Sequence, residues 1–136
     1  GLRVGYGVSS AEIAELLNRV RQPFNVNSVA LAAAAAALED DEHLARSVQV
    51  NRSGLRQLRA GFDAMGIEVI PSVANFLSFA VPGGAASEVY SRLLHEGIIV
   101  RPVANYGLPG HLRVTVGLED ENARFLEALA KVVSQP

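Results

Sequence analysis

The chain has 136 residues, 49% of them apolar and 19% charged, so it can bury a core and does not read as disordered. Its net charge of -2, with no basic block, argues against nucleic acid as the main partner. It contains no cysteine, which excludes disulfides and thiolate metal sites, and His43, His95 and His111 show no ligand spacing, so no metal is expected. The longest apolar run, Ser28 to Leu38, is too short and too alanine-rich to span a bilayer. No secretory signal is visible, and a cytoplasmic protein is the expectation. The chain starts at Gly1 rather than Met, which reads as a piece of something longer.

Leu2 to Val8 reads as a short strand, with Leu2, Val4, Tyr6 and Val8 on one face and Arg3 among Gly1, Gly5 and Gly7 on the other. Bare backbone around one arginine allows a ligand or another element to approach closely. Ser9, with Glu12 three residues on, reads as a capping box that starts a helix. Ile13, Leu16, Leu17 and Val20 follow at helical spacing, and Pro23 lies beyond the expected end. Asn27 or Ser28 can cap a second helix that runs to about Leu38 and includes Ala32 to Ala37. A helix that is apolar all round is expected to be buried, as a core helix or as a bridge between two lobes.

Acidic residues from Glu39 to Glu42 suit the start of a third, long helix. Its apolar stripe is Leu44, Val48, Leu55, Leu58, Phe62 and Met65, and Gly66 is the natural stop. Arg46, Arg52, Arg56 and Arg59 read as its solvated face rather than as a nucleic-acid footprint, because nearby acids cancel much of their charge. Ile67 to Ile70 and Asn75 to Val81 read as strands, ended by Pro71 and by Pro82 to Gly84. Ala85 to Glu96 reads as a helix with Val89, Tyr90, Leu93 and Leu94 inward, stopped by Gly97.

Two apolar, strand-like runs follow between Gly97 and Gly117, around a loop rich in Gly and Pro. Each run carries one arginine, Arg101 and Arg113. In the second run Leu112, Val114 and Val116 face one way, and His111, Arg113 and Thr115 the other. Two guanidiniums on adjacent strands suit a small ligand with two acidic groups, because arginine forms paired planar bonds to carboxylate or phosphate. Both arginines can equally be solvated surface residues. Glu119 to Ser134 reads as the last helix, with Phe125, Leu126, Leu129, Val132 and Val133 on its apolar face. Lys131, the single lysine, lies off that face and does not read as a catalytic amine.

From about Asp40 onward the order is helix, strand, strand, helix, strand, strand, helix. This is an α+β unit, a small and mainly antiparallel sheet with helices covering one side. Residues 1–39 read as the end of another domain, and residues 40–136 as a small domain of their own.

Several stretches resemble one family. Gly1 to Tyr6 is similar to the segment that follows the cofactor lysine in fold-type I aminotransferases, which use pyridoxal phosphate. Pro23 to Ser28, Asn75 with Phe76, Gly97 to Pro102 and Tyr106 to Gly117 are similar, in that order, to histidinol-phosphate aminotransferases. The resemblance covers essentially the whole chain. It implies a C-terminal portion of such an enzyme, holding the small domain, the inter-domain helix and the last strand and helix of the large domain. It implies that Arg3 binds the cofactor phosphate, that Arg113 holds a substrate carboxylate and that Arg101 meets a substrate phosphate. The implied substrates are a phosphorylated amino alcohol and glutamate or 2-oxoglutarate, and the implied assembly is a homodimer. The family's Schiff-base lysine should lie just before Gly1, so no catalytic residue is assigned in this chain, and the chain alone is expected to be inactive. An aromatic aminotransferase, a threonine-phosphate decarboxylase of the same fold and a non-catalytic α+β assembly domain are the other readings.

Overall fold

Three rings meet at the centre of the larger of two units: Phe62 lies 4.9 Å from Phe79 and 6.0 Å from Phe125, and Phe79 lies 5.9 Å from Phe125. Tilted and edge-on contacts at these separations are the favoured aromatic geometries. The computed structural model describes residues 1–134. Gln135 and Pro136, the last residues of the expected second domain, lie outside the described residues. The chain divides into two units, Gly1–Ala45 and the part from Arg46 onward.

In the first unit, residues 1–10 form no helix or strand. The strand expected over Leu2 to Val8 is therefore not present. A strand needs a partner for its backbone groups, and the described residues of this unit contain no other strand. Helix α1 spans Ala11–Val20 and is capped by Ser10, whose side chain accepts from the Ile13 amide at 3.4 Å. The cap thus falls one residue later than expected, and Ser9 donates its hydroxyl to the Ser10 carbonyl instead. Helix α2 spans Ser28–Leu38, and Asn27 caps it, with Oδ1 accepting from the Ala30 amide at 2.8 Å. Within this unit the alanine helix is not buried: Ala30 is its one buried residue, and Val29, Leu31 and Leu38 are exposed. The expectation of burial came from composition alone, and α1 does not cover the helix: its own apolar residues Ile13, Leu16, Leu17 and Val20 are exposed as well.

The second unit holds most of helix α3 (Asp41–Ala64), helices α4 (Ala86–His95) and α5 (Glu119–Ser134), and strands β1 (Val69–Ile70), β2 (Phe76–Ala80), β3 (Arg101–Pro102) and β4 (His111–Thr115). The strands form one sheet in the order β1-β2-β4-β3, and every pairing is antiparallel. This is an α+β fold. Leu77, Phe79, Leu112 and Val114 point inward from β2 and β4, into one cluster with Leu58, Phe62, Val89, Leu93, Phe125, Leu129 and Val132 from the helices. Alternate strand residues face the other way.

Glycines end two of the helices as their spacing predicts. Gly66, at φ 66°, is followed by Ile67, whose amide donates to the Phe62 carbonyl at 2.9 Å. Gly97, at φ 74°, is followed by Ile98, whose amide donates to Leu93 at 2.9 Å. Both are Schellman stops, which require the left-handed backbone that glycine adopts without strain. Leu94, expected to point inward, is 41% exposed, because Val89, Leu93 and Ala86 already fill the buried face of α4. The stripe on α3 is likewise buried only in its second half. Leu44 and Val48 are exposed, whereas Leu58 and Phe62 are fully covered.

Two glycines on α3 set how closely its neighbours approach. A Cβ at Gly54 would lie 2.4 Å from Val116 Cγ1 and 2.9 Å from Asn122 Nδ2. Neither atom yields easily. Val116 is β-branched and stiff, and Asn122 Nδ2 is held by the Gln57 Oε1 and Gly117 carbonyl acceptors. At Gly61 the Cβ would instead meet Leu126, both Cδ atoms at 2.5 Å and Cγ at 3.0 Å, but Leu126 is partly buried and not β-branched, so it can shift outward. Alanine gains about 1 kcal/mol over glycine in a helix, whereas overpacking costs about 1–3 kcal/mol. Gly54→Ala is therefore expected to lower the urea midpoint and Gly61→Ala to change it much less. Equal effects, or a gain at Gly54, would contradict this packing.

Candidate functional site

The alternation that buries Leu112 and Val114 sends His111, Arg113 and Thr115 to the opposite face of the sheet. Register then chooses their neighbours. Arg113 lies opposite Ser78 on β2 and opposite Arg101 on β3, and Ser78 lies opposite Ile70 on β1. Ile70, Ser78, Arg113 and Arg101 thus form one row across the outer face. The structure brings Arg101 and Arg113 together as expected, as a directly opposed pair. Arg101 is exposed and Arg113 half-buried.

Like charges directly opposite one another are unfavourable. Among the described residues neither arginine has a carboxylate partner. Arg113 is steadied by a ring instead: its guanidinium carbon lies 4.7 Å from the centroid of Phe76. Arg113 Nε is buried and has no hydrogen-bond partner, and the same holds for Nδ1 of His111. A pair of guanidiniums without carboxylate partners, with a ring beside one of them, can receive a small dianion, or two anionic groups of one molecule.

The supports of this face lie on the helix side. Asn51 and Arg59 of α3 donate to the carbonyls of Ala74 and Ser72, at 3.3 Å each, and so anchor the loop that leads into β2. Arg59 is thus partly a structural donor rather than simply a solvated charge. Asn122 is the buried polar residue of the core, 2% exposed. It accepts from the Gly117 amide at 2.9 Å and donates to Gln57 and to the Gly117 carbonyl, which clasps the end of β4 to α3 and α5.

Arg3 lies in the first unit, exposed, with a left-handed φ of 60°. A Cβ at Gly1, Gly5 or Gly7 would meet nothing within 4 Å, so the backbone around Arg3 is open as the glycines predict, although no strand carries it. Lys131 is exposed and bonded to Glu96 at 2.7 Å. No helix among the described residues is long and apolar enough to cross a membrane. No group of three His, Cys, Asp or Glu among them could hold a metal ion.

Phe76, Ser78 and Asn122 were given no role by sequence reasoning. The alternation over residues 76–80 was available as a signal for the first two, but only register shows that they flank Arg113.

A family model for "Aminotransferase class I and II" matches residues 1–129. The chain belongs to this family. It is 61% identical over 98% of its length to histidinol-phosphate aminotransferase 2 of Pseudomonas fluorescens (strain Pf0-1), and covers 36% of that protein. The chain thus spans about a third of the length of the curated relatives it matches. The structure of the histidinol-phosphate aminotransferase from Clostridium acetobutylicum superposes with a TM-score of 0.84 at 26% identity, over 93% of this chain and 39% of that one. The fold is also that of the Sinorhizobium meliloti histidinol-phosphate aminotransferase, solved in complex with pyridoxal-5'-phosphate, at a TM-score of 0.79 and 23% identity, over 90% of this chain and 34% of that one.

The opposed arginines are expected to cost the fold a little stability. Arg101→Gln should raise the thermal midpoint at low salt by the equivalent of less than about 1 kcal/mol. The gain should shrink at about 1 M salt, where charges are screened within about 3 Å. A clear loss of stability would show instead that Arg101 is a structural residue.

Proposed function

We propose that this chain supplies the substrate-gripping side of a pyridoxal-phosphate-dependent aminotransferase that interconverts histidinol phosphate and imidazole acetol phosphate, with glutamate and 2-oxoglutarate as the other pair. The observation that carries the reading is the directly opposed Arg101 and Arg113, which have no carboxylate partner among the described residues. The similarity to curated histidinol-phosphate aminotransferases supports the substrate choice. In this reading residues 40–136 are the small domain, and residues 1–39 complete the large domain and its link. The enzyme works as a cytoplasmic homodimer.

The residues present fit the cofactor. Arg3 is exposed, has no carboxylate partner among the described residues and sits in glycine-lined open backbone, as a phosphate anchor should. When bound, pyridoxal phosphate supplies the electron sink for carbanion chemistry. The chain's own residues do the rest of the recognition. Arg113 pairs with the carboxylate of the dicarboxylate substrate. Arg101 pairs with the phosphate of the amino-alcohol substrate. Both substrates use one face of the sheet in turn, as a transaminase that exchanges two substrates through one cofactor requires. The reacting lysine comes from residues outside this chain.

Two outcomes follow. In the whole enzyme, Arg101→Ala should weaken the phosphorylated substrate by about 10- to 100-fold, the scale of a lost hydrogen bond to a charged group. Transamination of an unphosphorylated amino acid should fall far less, and steady-state kinetics on both substrates would show an equal loss if the assignment is wrong. The 136-residue chain alone, given pyridoxal phosphate, glutamate and imidazole acetol phosphate, should form no histidinol phosphate. Chromatographic detection of product would overturn the placement of the reacting lysine elsewhere.

A further inference from the structure

Phe76 and Arg113 belong to different strands, and only register brings them together. Phe76 lies opposite Thr115 and Ser78 opposite Arg113, so Phe76 and Arg113 are diagonal neighbours on the outer face. Diagonal backbone positions are about 7–8 Å apart, within reach only of aromatic and long side chains. Ser78, directly opposite Arg113, is small enough to leave that reach open. The result is the guanidinium carbon 4.7 Å from the Phe76 centroid.

Three further observations give this contact a purpose. Arg113 faces Arg101, and repulsion between them would push both heads apart toward water. Arg113 Nε is buried with no hydrogen-bond partner, so no protein acceptor fixes the orientation of the fork. Among the described residues no carboxylate pairs with Arg113. The negative face of the ring therefore opposes the repulsion and limits where the guanidinium can go. An arginine left to wander among its rotamers would have to be ordered each time an anion binds, at a cost in affinity.

We propose that Phe76 is a positioning residue for Arg113, holding its guanidinium pre-oriented for the carboxylate of the dicarboxylate substrate. The proposal rests on the reading of Arg113 as the carboxylate anchor. The ring touches no reacting atom. Its effect reaches substrate through Arg113 and falls on binding of the dicarboxylate more than on binding of the phosphate ester, whose partner is Arg101.

The test compares Phe76→Leu, Phe76→Tyr and Arg113→Met in the whole enzyme. Phe76→Leu, which keeps an apolar side chain but loses the ring, should raise KM for 2-oxoglutarate by about 3- to 30-fold, the range of a cation–π contact. The kcat should change little, and KM for the phosphorylated substrate should move less. Phe76→Tyr should restore the 2-oxoglutarate KM. In the 136-residue chain, the Arg113 side-chain NMR resonances should be shifted upfield by the ring in the wild type and in Phe76→Tyr, and should lose that shift in Phe76→Leu. If Arg113→Met raises the 2-oxoglutarate KM while Phe76→Leu leaves it unchanged, the positioning role is overturned and the anchor survives. If Arg113→Met leaves it unchanged, the anchor falls and the proposal with it. Equal losses in Phe76→Leu and Phe76→Tyr, with lowered thermal midpoints in both, would make Phe76 a packing residue and overturn the proposal.

Discussion

The register between β2 and β4 is the constraint on which the rest of the second unit depends. Leu77 lies opposite Val114, and Phe79 opposite Leu112, with all four inside the core. Burying such side chains contributes about 1.5–3 kcal/mol each. Facing two arginines across a strand pair costs less than about 1 kcal/mol. The core term wins by a wide margin, so the arginines go where the apolar residues send them. A slip of one residue would expose Leu112 and turn Arg113 inward. The placing of Arg101 and Arg113 on the outer face is thus a consequence of packing on the opposite side.

The helices supply the second half of this arrangement. Gly54 lets β4 and α5 close onto α3. Asn122 then satisfies both backbone groups of Gly117 and reaches Gln57. A buried polar group of this kind is stable only because each of its bonds is made. Asn51 and Arg59, from the same helix, hold the loop before β2. One long helix therefore braces the entry to β2 and the exit from β4, the two strands that carry Phe76 and Arg113.

Much of this was legible in the sequence, and for local reasons. Asn27 as a cap, Gly66 and Gly97 as stops, and the alternation from His111 to Val116 each depend on a few adjacent residues. The pairing of Arg101 with Arg113 was one of two readings of strand-like runs that flank a loop rich in Gly and Pro, and register decided for it. What was missed depends on partners distant in the chain. Leu2 to Val8 has the alternation of a strand, but the described residues of its unit offer no strand to pair with. Ser9 and Ser10 are chemically equal caps, and backbone geometry chose the second. Leu94 has helical spacing, but the buried face of α4 is filled without it. Phe76 beside Arg113 and Asn122 beside Gln57 require register and helix packing, which spacing along one segment does not encode. The resemblance to aminotransferases was carried by stretches spread from Gly1 to Gly117, and the family match over residues 1–129 agrees with it.

The proposed sharing of one pair of guanidiniums by a phosphate ester and a dicarboxylate makes the two ligands competitors. It is tested most directly by titrating the whole enzyme with an unreactive dicarboxylate in the presence of increasing amounts of an unreactive phosphate ester. Mutually exclusive binding is expected, with the apparent Kd of the dicarboxylate rising in proportion to the phosphate ester. Independent binding, with the dicarboxylate Kd unchanged at saturating phosphate ester, would contradict it.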